Sequence, residues 1–282
     1  MPALPLPRRT HLLASPEPDH SSSLAGLRVD EFILHYQPKL DLVTDRICGV
    51  EALLRWNHPT DGLLAPDNFL HSIRASGGLH SVERWVVMKA CRDLRQWHLA
   101  TGRSDLQVAI NISPSHLKAD GFTSMILDAV RASELKPEHL ILEITETEPI
   151  QDVSYISKVT HMLNERGVQF SLDDFGTGYS SLTQICQLPV TEVKVDRGFV
   201  AGIPESRSDW MIVHALIHLA RALGVRVVAE GVERSEQLAA LRELECDVIQ
   251  GFYVACALPE CEILNLLLSP ERGAVQARYA SP

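Results

Sequence analysis

Apolar residues along this chain fall into short strand-like runs that alternate with longer stretches of helical spacing. From Asp30 onward, eight runs read as strands: 32–38, 47–55, 106–112, 140–145, 168–172, 192–195, 225–229 and 247–251. Between them, 82–99, 115–132, 154–166, 209–223 and 236–244 carry apolar residues three and four positions apart, the spacing of one helix face. Gly167 and Gly224 stand just before a strand, where helix C-caps belong. Strands and helices in alternation, with eight strands, predict an α/β fold of the TIM (β/α)8 barrel type. One junction departs from that rule. Only a short polar segment around Thr44-Asp45-Arg46 separates the first two strands. A parallel crossover needs roughly a dozen residues or more, so this connection is a hairpin. The first strand is therefore expected to run antiparallel, giving a modified barrel. A doubly wound sheet is the alternative, but no Gly-x-Gly-x-x-Gly follows the first strand to support a dinucleotide-binding version.

Residues 1–25 are rich in Pro and Ser and lack periodicity, the pattern of a disordered arm. Residues 26–270 read as one domain and 271–282 as a loose tail. The length, 282 residues with 45% hydrophobic, suits one barrel with a large core. A net charge of −10 argues against DNA or RNA as a partner and fits a site that holds cations. The six cysteines are scattered and form no C-x-x-C pair, as expected of free thiols in a reducing compartment. No apolar run approaches the roughly 18 residues of a membrane helix, and proline interrupts the N-terminal apolar stretch. The expectation is a soluble, cytoplasmic protein without a membrane segment.

Chemistry gathers at the strand ends. Glu51, Asn111, Glu143, Asp173, Asp174, Lys194, Glu230 and Gln250 all fall near the ends of predicted strands, where barrel enzymes place their active groups. Any single acid there could serve a structural salt bridge. The full set at consecutive strands points to one shared site, because a buried carboxylate is costly unless paired or bound to metal. Oxygen ligands favour Mg²⁺ or Mn²⁺ over zinc. Adjacent Asp173 and Asp174 cannot face the same way in a regular strand, but both can turn to the mouth where the strand breaks. Two cations about 3.5–4 Å apart would clamp a phosphodiester and activate a water. One aspartate would bridge them. Lys194 would orient that water or stabilise charge on phosphorus, and Glu230 would hold the second metal or accept the proton. Gly176 and Gly178 let the following loop approach a ligand closely, and Glu146 is placed to hydrogen-bond such a loop. The Asp-Phe-Gly tripeptide alone is weak evidence, and nothing else in the chain looks like a kinase.

At these residues the chain resembles the EAL-domain family, the phosphodiesterases of cyclic di-GMP. The ordered motifs are Tyr36-Gln37-Pro38, Glu51 to Arg55, Asn111 to Ser113, Glu143 to Glu146, Asp173 to Leu182, Lys194 to Arg197, Glu230 to Glu233 and Gln250 to Phe252. The resemblance spans roughly residues 30–265. It implies a barrel with an antiparallel first strand and hydrolysis of cyclic di-GMP to linear pGpG with two Mg²⁺ or Mn²⁺ ions. It implies that Glu51, Asn111, Glu143 and Asp173 bind the first metal, and that Asp173 bridges to a second held with Asp174 and Glu230. Lys194 would contact the attacking water. Gln37, Leu53, Arg55, Glu233 and Gln250 would bind substrate, with Arg55 on a phosphate. Glu146 would anchor the Asp-Phe-Gly-Thr-Gly loop, which in the family lies near a homodimer interface. Two stretches depart from the family pattern. A proline usual beyond the Gln-Gly-aromatic motif is missing from Phe252 to Ala257, and Ala75-Ser76 replaces a common Ala-Glu pair. Neither is a metal ligand; they bear on substrate affinity and the pocket rim.

Other signals are set aside. His214 and His218 have metal-ligand spacing, but their apolar surroundings favour a core or edge pair. Trp85 and Trp97 are expected to pack a helix on the barrel. Arg84, Lys89, Arg92 and Arg95 read as a solvated helix face, and Arg8-Arg9 is too short for a nucleic-acid or lipid patch. Two other functions fit the same residues: a cyclic di-GMP receptor that binds without cutting and regulates a partner protein, and an unrelated Mg²⁺-dependent barrel enzyme.

Overall fold

A tight turn joins the first two strands of the computed structural model, which describes residues 28–144, 152–176 and 187–269. Strand β1 (Phe32–Asp41) ends on Asp41, whose Oδ1 accepts hydrogen bonds from Val43 N (3.1 Å), Thr44 N (2.8 Å) and Thr44 Oγ1 (2.9 Å). That side chain replaces the backbone ladder and reverses the chain. β2 (Arg46–His58) then returns antiparallel to β1, with Gln37 opposite Glu51 and Ile33 opposite Arg55. A short β3 (Gly62–Leu64) extends β2 as a hairpin.

The remaining barrel strands are β4 (Gln107–Ile112), β5 (Leu140–Ile144), β6 (Gln169–Phe175), β7 (Glu192–Val195), β8 (Arg226–Ala229) and β9 (Val248–Gln250). Each pairs in parallel with the next, starting from β2. β9 closes on β1 with Lys39 opposite Gln250, again antiparallel. Eight strands thus form a closed barrel in which β1 alone runs against both neighbours. A short β10 (Leu258–Pro259) pairs with the outer half of β1. The hairpin and the antiparallel first strand agree with the sequence.

The helices are α1 (Leu70–Ala75), α2 (Leu79–Thr101), α3 (Pro114–Leu117), α4 (Phe122–Ala132), α5 (Val153–Asn164), α6 (Arg197–Gly202), α7 (Arg207–Ala222), α8 (Ser235–Glu243) and α9 (Glu260–Leu268). Side chains start several of them: Asp152 accepts from Tyr155 N, Ser113 from His116 N, Asp196 from Gly198 N and Ser206 from Asp209 N. The single helix expected over 115–132 is two, because the chain turns at Gly121, with φ +79°, before α4 begins. The short α1 and α6 and strands β3 and β10 were too brief to show as periodic patterns, and α9, as long as α8, was not read from the chain.

Strand alternation separates two environments. Outward positions such as Val108, Ile110, Leu142, Phe170, Leu172, Val193 and Val195 are buried under the helices and form the main core. Burying each such side chain is worth roughly 1.5–3 kcal/mol. Trp97 of α2 packs edge-on against Tyr36 with ring centroids 4.7 Å apart, and Trp85 meets Phe32 at 6.2 Å, as expected of these tryptophans. Arg84 and Arg92 are exposed, but Lys89 and Arg95 are not simply solvated: Lys89 pairs with Asp93 (2.6 Å) and Glu260 (2.8 Å), and Arg95 with Glu134 (2.7 Å). The inward positions are different: Lys39, Glu51, Glu143, Ser171, Glu192, Lys194 and Gln250 are all buried inside the barrel. No disulfide joins the cysteines of the described residues, and no described helix is long and apolar enough to cross a membrane. The arm over 1–25 and the tail over 271–282 lie outside the described residues.

Candidate metal and phosphodiester site

Strand β6 carries a bulge where its two aspartates stand. Leu172 pairs with Val193 and Phe175 with Val195, so Asp173 and Asp174 together oppose the single residue Lys194. The extra residue bends the strand and re-aims a side chain. Asp174 takes a left-handed backbone (φ +53°), which Asp tolerates better than most residues, and its N–H donates to Asp173 Oδ1 at 3.1 Å. Both carboxylates therefore reach the mouth, as the strand break predicts. With Glu230, at the end of β8, they offer oxygen atoms all within 4.8 Å of one another.

Lys194 sits under this group and is buried. Its Nζ lies 2.7 Å from Glu230 Oε1, 2.9 Å from Glu143 Oε2, 3.1 Å from Asp173 Oδ1 and 3.5 Å from Glu51 Oε2. Asn111 Nδ2 donates to Glu51 Oε1 at 2.7 Å, and Gln250 Nε2 donates to Glu51 Oε2 at 2.7 Å and to Gln37 Oε1 at 3.0 Å. One connected set thus gathers Gln37, Glu51, Asn111, Glu143, Asp173, Asp174, Lys194, Glu230 and Gln250 from strand ends all round the barrel.

The charges are set by this crowding. Burial pushes the Glu230 carboxyl up, Lys194 opposes it only in part, and the group lies at about 7. Burial and the neighbouring Glu143 raise Glu51 as well. Asp174 is raised by burial and by the charges of Asp173 and Asp196. Glu143 is the exception: burial pushes it up, but Lys194 and Lys39 outweigh burial and hold it at about 2. Lys194 is held charged, its four carboxylates overcoming the burial that would neutralise it.

The substrate-side residues are placed less uniformly. A cleft of about 250 Å³ is lined by Gln37, Glu51, Glu230, Glu233 and Gln250, together with Arg197 and Phe252. Leu53 and Arg55 share the inward face of β2 with Glu51, farther toward the mouth, and do not line this cleft; Arg55 Nη1 donates to Leu54 O at 2.8 Å. Gln37 Nε2 donates to Ala255 O at 3.1 Å, so the altered stretch after Phe252 reaches the site through its backbone. Gly251, with φ +152°, lets the chain leave β9 against the loop after Glu230: a Cβ there would lie 2.3 Å from both the N and the O of Val232. Gly176 lies at φ +103° beside Phe199 and Leu216. Glu146, Gly178 and most of the loop after Gly176 lie outside the described residues. A larger groove, about 590 Å³ between β1, α2 and α9, holds the Lys89–Glu260 pair but none of the strand-end acids. His214 and His218 meet Nε2 to Nε2 at 2.9 Å, with Trp210 stacked on His214. They form an exposed pair on α7, and neither belongs to the carboxylate cluster of Asp173, Asp174 and Glu230.

Sequence reasoning missed two interior groups. Lys39 Nζ contacts Glu143 Oε1 at 2.8 Å and Glu192 Oε1 at 2.9 Å, deep in the barrel. Strand alternation was the available signal: Lys39 follows Gln37 by two residues, and Glu192 precedes Lys194 by two. Arg197 and Phe252 were visible only as members of longer motifs.

The donor set suits divalent cations. It consists of carboxylate and amide oxygens, as Mg²⁺ or Mn²⁺ requires. The buried Gln250 Oε1 has no hydrogen-bond partner among the described residues, which leaves an acceptor aimed into the site. The interior holds the carboxylates of Glu51, Glu143, Asp173, Asp174, Glu192 and Glu230 against the ammonium groups of Lys39 and Lys194. Counted with every group ionised, six carboxylates against two ammonium groups leave an excess of negative charge, and the raised Glu51, Asp174 and Glu230 are the groups that a bound cation would bring to the ionised form. The residues fit.

Known proteins match most of the chain. The family model described as EAL domain matches residues 22–257. The chain is 43% identical over 234 residues to the cyclic di-GMP phosphodiesterase NbdA of Pseudomonas aeruginosa, covering 83% of this chain and 30% of that protein. It is 39% identical to the bifunctional diguanylate cyclase/cyclic di-GMP phosphodiesterase MucR of the same organism, covering 83% of this chain and 34% of MucR. The chain therefore spans about a third of the length of these curated relatives. Among solved structures, the MucR phosphodiesterase in complex with c-di-GMP superposes with a TM-score of 0.78 at 38% identity, over 83% of this chain and 94% of that one. The EAL enzyme Bd1971, bound to cAMP and cyclic di-GMP, gives 0.80 at 32% identity, over 84% and 65%.

Proposed function

Because the chain belongs to the EAL-domain family, we propose that it is a phosphodiesterase that hydrolyses cyclic di-GMP to linear pGpG, using two Mg²⁺ or Mn²⁺ ions. The observation that carries this reading is the bulge of β6, which sets Asp173 and Asp174 beside Glu230 at the mouth of the barrel. Glu51, Asn111, Glu143 and Asp173 would hold one cation. Asp173, Asp174 and Glu230 would hold the other. Bound cations supply Lewis-acid polarisation of the phosphoryl group and a water of lowered pKa.

The chain's own residues do the rest. Lys194 Nζ, fixed by four carboxylates, donates to the attacking water and stabilises charge developing on phosphorus. Glu230, raised to about 7 by burial while no cation is bound, gives up its proton to become a ligand of the second cation, and the proton released from the attacking water passes to the surrounding water. The water oxygen bonds to phosphorus, one ester P–O bond breaks, the departing ribose oxygen takes up a proton from the surrounding water, and the ring of the dinucleotide opens. Gln37, Gln250 and Glu233 line one side of the substrate cleft. Leu53 and Arg55 extend it along β2, where the Arg55 guanidinium pairs with a phosphate. The family resemblance would give Glu146 the role of supporting the loop after Gly176; both lie outside the described residues. The reading includes a homodimer acting in the cytoplasm to lower the level of the second messenger.

Glu51→Ala tests the metal assignment. It removes the carboxylate shared by Asn111 and Gln250 and is expected to abolish turnover while the barrel stays folded. A folded variant with unchanged activity would refute that role.

A further inference from the structure

We propose that Lys39 is a positioning residue for the metal-binding carboxylate Glu143, with Glu192 as its counter-charge; this rests on the metal-dependent reading of the site above. Glu143 is gripped at both oxygens. Lys194 Nζ holds Oε2 at 2.9 Å, and Lys39 Nζ holds Oε1 at 2.8 Å. Two ammonium groups on opposite edges fix the plane of the carboxylate as well as its position. A glutamate otherwise keeps rotamer freedom that must be given up each time it binds an ion. Lys39 is 2% exposed, so it has no access to the substrate cleft and acts only through the groups it touches.

Glu192 explains how a second lysine is tolerated. Its Oε1 lies 2.9 Å from Lys39 Nζ, so the single positive charge of Lys39 is shared between two carboxylates. The three side chains come from β1, β5 and β7, across the barrel interior. Lys39 also stands at the register shift of β1, opposite Gly49 on one side and Gln250 on the other. The strand that supplies Gln37 to the cleft therefore supplies the support of Glu143 one layer below.

A barrel-closing ion pair with no role in the site is the competing account, and metal affinity separates the two. The test uses the double variant Lys39→Met with Glu192→Gln, because removing Lys39 alone would strand a buried carboxylate on β7. Free Mn²⁺ is followed by electron paramagnetic resonance, with no substrate present, and kcat is measured separately at saturating Mn²⁺. Loss of an outer support of a metal ligand costs about 10–100-fold in affinity or activity. Mn²⁺ affinity is expected to fall within that range. Asp93→Asn, in the buried Tyr36–Asp93–Lys89 network outside the barrel, controls for general destabilisation: it should lower the Tm and leave Mn²⁺ affinity alone. Should the double variant fail to fold, Lys39→Leu with Glu192→Leu, which removes both charges and leaves no polar group unpaired, is read in the same way. Wild-type Mn²⁺ affinity in whichever variant folds overturns the proposal. Mn²⁺ binding by the wild type without hydrolysis would sink the phosphodiesterase reading and leave this one to stand or fall on the affinity. Absence of Mn²⁺ binding by the wild type would overturn both.

Discussion

Asp173 and Asp174 are neighbours in sequence and yet present their carboxylates to the same cluster, because the bulge of β6 sets both against Lys194 and Asp174 adopts a left-handed backbone. In a regular strand one of them would point into the helix layer. The irregularity is therefore part of the site.

Asp174→Asn isolates the charge from the backbone. Asparagine also tolerates the left-handed region, so the bulge should survive and the Tm should change little. Turnover should fall by more than the ~10–100-fold typical of an outer-support change, since a direct ligand is lost. Circular dichroism, thermal melting and a cyclic di-GMP turnover assay check the two halves separately. A folded variant with near-normal turnover would remove Asp174 from the metal set.

Metal binding should strengthen with pH through neutrality. Glu230 lies at about 7, raised by burial, and a protonated carboxyl must lose its proton to become a ligand. For that one group the apparent affinity should rise about tenfold between pH 6 and pH 8. The stability sign follows from the same shift. The folded state holds this proton at pH values where the unfolded chain has released it, so metal-free stability declines from the usual carboxylate range up to about 7. Mn²⁺ should then raise the Tm more at pH 8 than at pH 6. Titration calorimetry and melting curves at the two pH values measure both effects, and a pH-independent Mn²⁺ affinity would contradict them.

Gly251→Ala should be costly. The new methyl carbon would lie 2.3 Å from the backbone N and O of Val232, and backbone cannot swing aside as a side chain can. Strain at such a position costs of order 1–3 kcal/mol. Val232 N donates to Gln250 O at 3.1 Å and Tyr253 N to Val232 O at 2.8 Å, so the damage falls on the contact that holds Gln250 in the site. Urea denaturation should show the loss, and substrate affinity should fall with it. A variant as stable as the wild type would mean that the Gly251–Val232 approach is not tight in solution.

Much of this was legible in the chain, and the rest was hidden for physical reasons. The antiparallel β1 followed from the length of one turn. The strand-end acids were visible because carboxylates at the ends of apolar runs are rare without a purpose. Two positions resisted. Lys39 looks like an ordinary surface lysine beyond Pro38, and only closure of β1 on β9 places it inside the barrel. The substrate role of Arg55 came from the family resemblance alone, and here its guanidinium donates to the carbonyl of Leu54. Strand register follows from pattern, but the rotamer of a long side chain at the mouth depends on what it finds there. The split of 115–132 into α3 and α4 was missed because both halves keep helical spacing while Gly121 turns the chain between them.

The most direct test of the central claim is incubation of the chain with cyclic di-GMP and Mg²⁺ or Mn²⁺, followed by chromatography of the nucleotides. The account predicts that pGpG accumulates, that a chelator stops it, and that Ca²⁺ supports binding without hydrolysis because it prefers looser, higher coordination. Tight binding of cyclic di-GMP with no pGpG formed under Mg²⁺ or Mn²⁺ would contradict it and make the chain a receptor.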